Sequence, residues 1–150
     1  MIGLLQRVSE AQVDVEGHTV ARIGRGLLVL VGVQRGDTSA SADRLLERLV
    51  TYRVFPDEMG RMNRSLLDIG GALLLVPQFT LAADTDRGTR AGFSRAAAPD
   101  QGRSLFEHLV TAARGRVQDV GAGVFGADMR VALVNEGPVT FWLEAPAREP

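Results

Sequence analysis

L-L-V-L-V-G-V, residues 27 to 33, is an unbroken apolar run entered from G-R-G at 24 to 26. Its length and its valines suit a strand buried on both faces, a central strand and not an edge. Working towards the N-terminus, Ile2 to Val8 and Ala11 to Glu16 read as one hairpin with Ser9 and Glu10 near its turn, and Thr19 to Ile23 follows Gly17. Working the other way, the period changes. Leu45, Leu46, Leu49 and Val50 fall on one helical stripe behind Thr38, Ser39 and Ser41, any of which can cap an amphipathic helix over 38–52. Arg53 to Phe55 is extended, Pro56 to Gly60 is a turn, and Gly70-Gly71 precedes a second apolar strand, Ala72 to Pro77, which Phe79 to Leu81 leave. Ala82 to Pro99 has no apolar period and carries Arg87, Arg90 and Arg95, and such long loops are often functional. Asp100 to Gly115 is a second helix on the stripe Leu105, Phe106, Leu109, Val110, Ala113. Val117 to Val120, Met129 to Glu136 and Val139 to Leu143 read as closing strands. The expectation is one α+β domain over residues 1–145, a mixed, barrel-like sheet with two helices, and a frayed tail over 146–150.

Composition narrows the chemistry. A chain of 150 residues with 45% hydrophobic and 23% charged residues fits one ordinary domain, which buries roughly 68–70% of its unfolded surface. No apolar run approaches the ~20 residues of a membrane span, so the expectation is a soluble, cytoplasmic protein. Cysteine is absent, which excludes disulfides, thiolate nucleophiles and Cys-based zinc sites. All 17 basic residues are arginine, which excludes Schiff-base chemistry and the lysine of a P-loop. A net charge of −1 gives no broad basic face for DNA, so any RNA contact is local.

The titratable side chains do not announce an enzyme. His18 and His108 cannot build a three-histidine zinc site, no H-E-x-x-H or G-x-S-x-G occurs, and G-R-G leads into a strand where a dinucleotide fingerprint opens a helix. Asp84 and Asp86 sit in a charged loop that suits solvation. Two segments remain. P-Q-F-T-L at 77 to 81 ends a buried strand, where backbone N–H groups leaving the ladder can serve as oxyanion donors; the plainer reading is an ordinary strand end with Phe79 in the core. Thr80 is a nucleophile only with a base, and no histidine is near it in sequence. N-E-G-P-V-T at 135 to 140 joins two apolar strands, and pattern alone reads Gly137-Pro138 as a turn.

These two segments, with Q-R-V at 6 to 8, T-Y-R-V-F-P-D-E-M-G-R-M-N at 51 to 63, A-A-D-T-D-R-G at 82 to 88 and F-G-A-D-M at 125 to 129, make the chain resemble the bacterial D-aminoacyl-tRNA deacylases from Met1 to about Leu143. The resemblance implies a homodimer with active sites at the subunit interface, acting on the acceptor end of aminoacyl-tRNA with no cofactor and no metal. It implies that Gln78, Phe79 and Thr80 form the catalytic strand end. Gly137 and Pro138, joined by a cis bond, are implied to be a chirality gate entering the partner's pocket, with Arg7 supporting the gate from behind. It further implies that Phe125 and Met129 lie near the adenine. One position departs: Pro77 stands where the family usually has Ser. A related deacylase group that edits L-alanine has Pro there, but it lacks the Phe kept here at position 79. A non-catalytic RNA-binding dimer is the reading that the arginine-rich loop and missing catalytic side chains suggest on their own.

Overall fold

In the computed structural model, which describes residues 1–147, the apolar run becomes the third of eight strands. The order is β1 (Ile2–Val15), β2 (His18–Ile23), β3 (Gly26–Gly32), α1 (Ser39–Thr51), β4 (Phe55–Pro56), β5 (Met62–Arg64), α2 (Leu66–Ile69), β6 (Ala72–Pro77), a 3-10 turn (Phe79–Ala82), α3 (Pro99–Arg114), β7 (Val120–Ala122) and β8 (Arg130–Glu144). β3 lies between β1, antiparallel, and β6, parallel, so the sheet is mixed. Its unbroken hydrophobicity has a direct cause. Leu27, Val29 and Val31 face a core with Leu73 and Leu75 of β6, Leu45 and Leu49 of α1, and Phe106 and Leu109 of α3. Leu28 faces the opposite way with Leu74, Val76, Val8, Val13 and Ile23. Both faces of β3 and β6 are therefore dry, which is what a continuous apolar strand requires. Cutting any of these buried leucines to alanine would cost about 2–5 kcal/mol.

The second core is the inside of a nearly closed barrel. The sheet runs β2-β1-β3-β6-β7, and its two ends curl until β2 meets β7: a Cβ on Gly121 would lie 3.2 Å from the Ala21 Cβ. The barrel-like α+β expectation is met, with three helices where periodicity predicts two. The extra one, α2, is a single turn closed by Ser65, whose Oγ accepts from the Asp68 amide at 3.1 Å while Asp68 Oδ2 accepts from the Ser65 amide at 2.8 Å. Four residues are too few to show a period.

Two predicted turns are not turns. Ser9 and Glu10 lie within β1, which runs unbroken for 14 residues. At that point β1 exchanges neighbours, pairing β3 through Val8 and β2 from Ala11. The real hairpin turns at Glu16 and Gly17, with φ of 50° and 78°, the two positive values that a tight hairpin of matching twist needs. Likewise the strands expected on either side of Gly137-Pro138 are one strand, β8, that keeps its pairing with β1 across the interruption. The third closing strand is β7, shifted to Val120–Ala122.

The N-terminus ties the ends together. The Met1 ammonium is buried, 2.8 Å from Asp37 Oδ1, and donates to the Ala145 carbonyl at 2.7 Å. Asp37 Oδ2 in turn accepts from the Gln34 amide at 2.7 Å. Of the tail expected to fray, Pro146 and Ala147 are exposed, and residues 148–150 lie outside the described range. Among the described residues no helix is long and apolar enough to cross a membrane.

Candidate active site

β6 outruns its neighbour. On the β3 side the Gln78 amide still donates to Val31 O at 2.7 Å, whereas on the other side the final bond runs from the Gly123 amide to Leu75 O at 2.8 Å. Beyond that point the chain tightens into the 3-10 turn, packed so closely on β3 that a Cβ at Gly32 would come within 2.9 Å of the Leu81 Cβ. Only glycine admits that approach. The amides of Phe79 and Thr80 precede the turn's own bonds, Leu81 to Gln78 and Ala83 to Thr80. Neither donates a hydrogen bond to any group among the described residues. Two adjacent free N–H groups at a strand end are the raw material of an oxyanion hole.

Pro77 ends the ladder on the β7 side. Successive amides of a strand alternate sides, so the nitrogen at 77 points towards β7, just past the Gly123-to-Leu75 bond; it has no N–H to donate, and its Cδ stands 3.1 Å from where a Gly123 Cβ would lie. Thr80 accepts a close hydrogen bond from Gln78 Nε2, which fixes its hydroxyl. No histidine reaches it: His108 bonds Asp43 at 2.8 Å across α3 and α1, and His18 is exposed at the start of β2.

Phe79 corrects the plain strand-end reading. It is 58% exposed and leans on Phe93, 46% exposed, with ring centroids 5.2 Å apart. Phe93 is the residue that sequence reasoning missed. It is the sole aromatic in the charged stretch 82–99, and that isolation was the available signal. The stretch is an arm with some order: Asp84 and Gly92 bond one another at 2.7 and 2.9 Å, and Arg95 pairs with Asp86 at 3.2 Å.

Beside the strand end opens a nearly apolar pocket of about 270 Å³, walled by Val31, Pro77, Phe79, Gly102, Phe106 and Phe125. Gly102, buried in the first turns of α3, lets the Phe125 ring close in; a Cβ there would be 3.2 Å from Phe125 Cζ. Met129 does not line this pocket. Its sulfur lies under the loop, 3.4 Å from the Val124 amide, on the barrel side. The two residues expected at one base are therefore a wall and a support.

The Gly137-Pro138 bond is cis. Thr140 faces Gln6 and Asn135 faces Val8, so the four residues from Glu136 to Val139 stand opposite Arg7 alone and loop outward as an oversized bulge. Asn135 closes its neck, with Nδ2 donating to Thr140 Oγ1 at 2.7 Å and Oδ1 accepting from the Val139 amide at 2.9 Å. Arg7 braces it from behind: Nε donates to Glu136 O at 2.9 Å and Nη1 to Val54 O at 2.8 Å. Gly137 has φ +128°, and a Cβ on it would meet Arg7 Nη2 at 2.7 Å. Both Gly137 and Pro138 are exposed.

The bulge does not face its own strand end. Gln78 is level with Ile2 on β1 and the bulge is level with Arg7. Five residues along and three strands across put them roughly 20 Å apart. The two perturbed carboxylates belong to neither segment: Asp57 is held below the usual range by Asn63 and the Arg61 and Met59 amides, and Asp68 by Ser65. Among the described residues no three acidic or histidine side chains cluster to hold a metal.

The chain matches the family model described as D-Tyr-tRNA(Tyr) deacylase over residues 4–144. It is 65% identical over 146 residues to the D-aminoacyl-tRNA deacylase of Thioalkalivibrio sulfidiphilus, covering 97% of this chain and 98% of that one. The D-aminoacyl-tRNA deacylase of Alkalilimnicola ehrlichii is 64% identical over 145 residues, 97% of each chain. Among solved structures, one described as a c-Myc DNA unwinding element binding protein superposes with a TM-score of 0.93 at 35% identity, over 98% of this chain and 100% of that chain. A probable eukaryotic D-amino acid tRNA deacylase superposes at 0.79 with 22% identity, over 95% and 98%, a likeness of fold alone.

Proposed function

The chain belongs to the D-Tyr-tRNA(Tyr) deacylase family, and we propose that it hydrolyses the ester joining a D-amino acid to the terminal adenosine of tRNA while sparing L-aminoacyl-tRNA. The observation that carries this is the pair of free amides at Phe79 and Thr80, set beside an apolar pocket. The adenine enters the pocket against Phe125, as aromatic faces take unpaired bases. The ester carbonyl then lies at the strand end. Water adds to the carbonyl carbon, assisted by the neighbouring ribose 2′-hydroxyl, and the Phe79 and Thr80 amides hold the oxyanion. Collapse breaks the ester C–O bond, and the ribose oxygen takes the proton. No side-chain base is required, in keeping with the absence of a histidine here.

Chirality is set by the bulge. The carbonyl oxygens of Gly137 and Pro138, on a bulge that Arg7 braces at Glu136 O and Asn135 at the Val139 amide, receive the substrate α-amino group. A D-residue in that pose sends its side chain to solvent, and an L-residue drives it into the carbonyls. Each 1.4 kcal/mol of that collision is about tenfold in discrimination. Glycine has no side chain to reject, so glycine mischarged on alanine tRNA is also a substrate. Because the bulge stands roughly 20 Å from its own strand end, the gate must come from a second copy, and the working unit is a homodimer. Exposed Val134 and Trp142 lie on β8, whose outer edge pairs with no strand among the described residues, a suitable surface for that contact. The DNA-binding description of one structural neighbour is not carried over, since a net charge of −1 without lysine offers no broad basic face.

Pro77 favours a second reading, editing of L-alanine on a wrong tRNA. Single-turnover deacylation of D-Tyr-tRNA, Gly-tRNA and L-Ala-tRNA separates the two. Release of D-Tyr and Gly far faster than L-Ala is expected; faster L-Ala release overturns the assignment, and binding without hydrolysis would make the chain an RNA-binding dimer.

A further inference from the structure

Arg103 is an uncommitted cation at the lip of the apolar pocket. Three arginines are ion-paired among the described residues, Arg95 with Asp86, Arg116 with Glu47 and Arg64 with Glu58; Arg103 is one of those that are not, and it is exposed. Arg87 and Arg90 are also unpaired but hang from the arm with no anchoring contact. Arg103 is anchored. Its guanidinium lies 5.0 Å over the Phe125 ring, and Nη2 is 3.8 Å from the point where a Gly126 Cβ would stand. Phe125 and Gly126 both line the pocket. The cation–π contact restrains a long side chain that would otherwise lose rotamer entropy on binding.

An apolar pocket that seats a nucleoside leaves its phosphodiester outside, at the rim. A guanidinium already parked there presents a planar fork that matches two phosphate oxygens. We propose that Arg103 binds the phosphodiester linking the terminal adenosine to the preceding nucleotide, and so makes the enzyme prefer the tRNA-borne ester to the same ester on a free nucleoside. This rests on the proposed seating of adenosine against Phe125.

The test compares D-tyrosyl-tRNA with D-tyrosyl-adenosine, which carries the ester but no phosphate. Arg103→Ala is expected to raise KM for the tRNA about tenfold, the worth of one exposed charge-assisted hydrogen bond, with kcat nearly unchanged. It should leave D-tyrosyl-adenosine within about twofold and lower the salt slope of tRNA binding by about 0.7. Arg103→Lys should recover the salt slope while recovering less of the affinity, since it keeps the charge and loses the fork. Equal loss on both substrates would assign Arg103 to supporting Phe125 and overturn the proposal, as would no loss on either. A wild-type enzyme inactive on both esters would instead defeat the underlying assignment of activity.

Discussion

Replacing Gly137 by alanine should disarm the gate without unfolding the protein. At φ +128° an L-residue sits outside its allowed regions, and the new Cβ would lie 2.7 Å from Arg7 Nη2 and 2.9 Å from Val139 Cγ2. The backbone penalty is on the order of 1–3 kcal/mol. The cheapest relief is to push Arg7 away, which strains its bonds to Glu136 O at 2.9 Å and Val54 O at 2.8 Å, each worth about 1.5–3 kcal/mol as a charge-assisted contact. The β1–β8 ladder continues on both sides of the bulge, so the damage stays local. For a domain of this size, 1–3 kcal/mol corresponds to a fall in Tm of roughly 3–10 °C. With its brace displaced, the pair of carbonyls no longer presents a rigid collision. The ratio of kcat/KM for D-Tyr-tRNA over L-Tyr-tRNA should drop by at least about tenfold, 1.4 kcal/mol of lost discrimination. The assay is deacylation of both labelled tRNAs beside a thermal melt. A Gly137→Ala enzyme with a lowered Tm but an unchanged ratio would refute the gate, because the bulge would have been disturbed with no effect on chirality.

Three further outcomes are expected. Thr80→Ala should keep substantial activity, since its amide remains; a loss above ~10³-fold, about 4 kcal/mol, would make the hydroxyl a nucleophile. Asp37→Ala should destabilise the fold by about 3–5 kcal/mol in urea titrations, because it strands the buried Met1 ammonium; a shift below about 1 kcal/mol would mean that water reaches that charge. Asp57 is depressed by Asn63 and by the Arg61 and Met59 amides, so its contribution to the β4–β5 hairpin is present above the ordinary 3.8 and lost as pH falls through its lower folded value. Titration of the Met59 and Arg61 amide shifts by NMR should report a midpoint below 3.8, and one at or above it would contradict the bonding described.

Some of this was plain in the chain. The runs at 27–33 and 72–77 suited buried strands, and the stripes of α1 and α3 fell on their observed spans to within a residue or so. Periodicity is a property of neighbours along the chain, and these elements bury their faces regardless of what lies opposite. The Ser9-Glu10 turn failed for the complementary reason. Two outward-facing polar residues look like a turn, but whether a strand bends back or exchanges partners depends on β2 and β3, which are distant in sequence. Phe79 failed likewise, since an aromatic after a buried strand is core only if something covers it, and here Phe93 covers just one side.

For the candidate site, the sequence by itself singled out two segments, Gln78-Phe79-Thr80 and Gly137-Pro138, as a strand end and a turn, and only the family resemblance implied roles for them. Only the tertiary structure decided that the Phe79 and Thr80 amides go unpaired, that Phe125 walls a pocket while Met129 merely supports it, that Arg7 clamps two carbonyls, and that the Gly137-Pro138 bulge stands well away from the strand end of its own chain. Backbone hydrogen-bond capacity is the same at every non-proline residue. Whether a given N–H is spent or left free is set by which strand ends first, and strand ends are fixed by packing between segments that no local pattern relates.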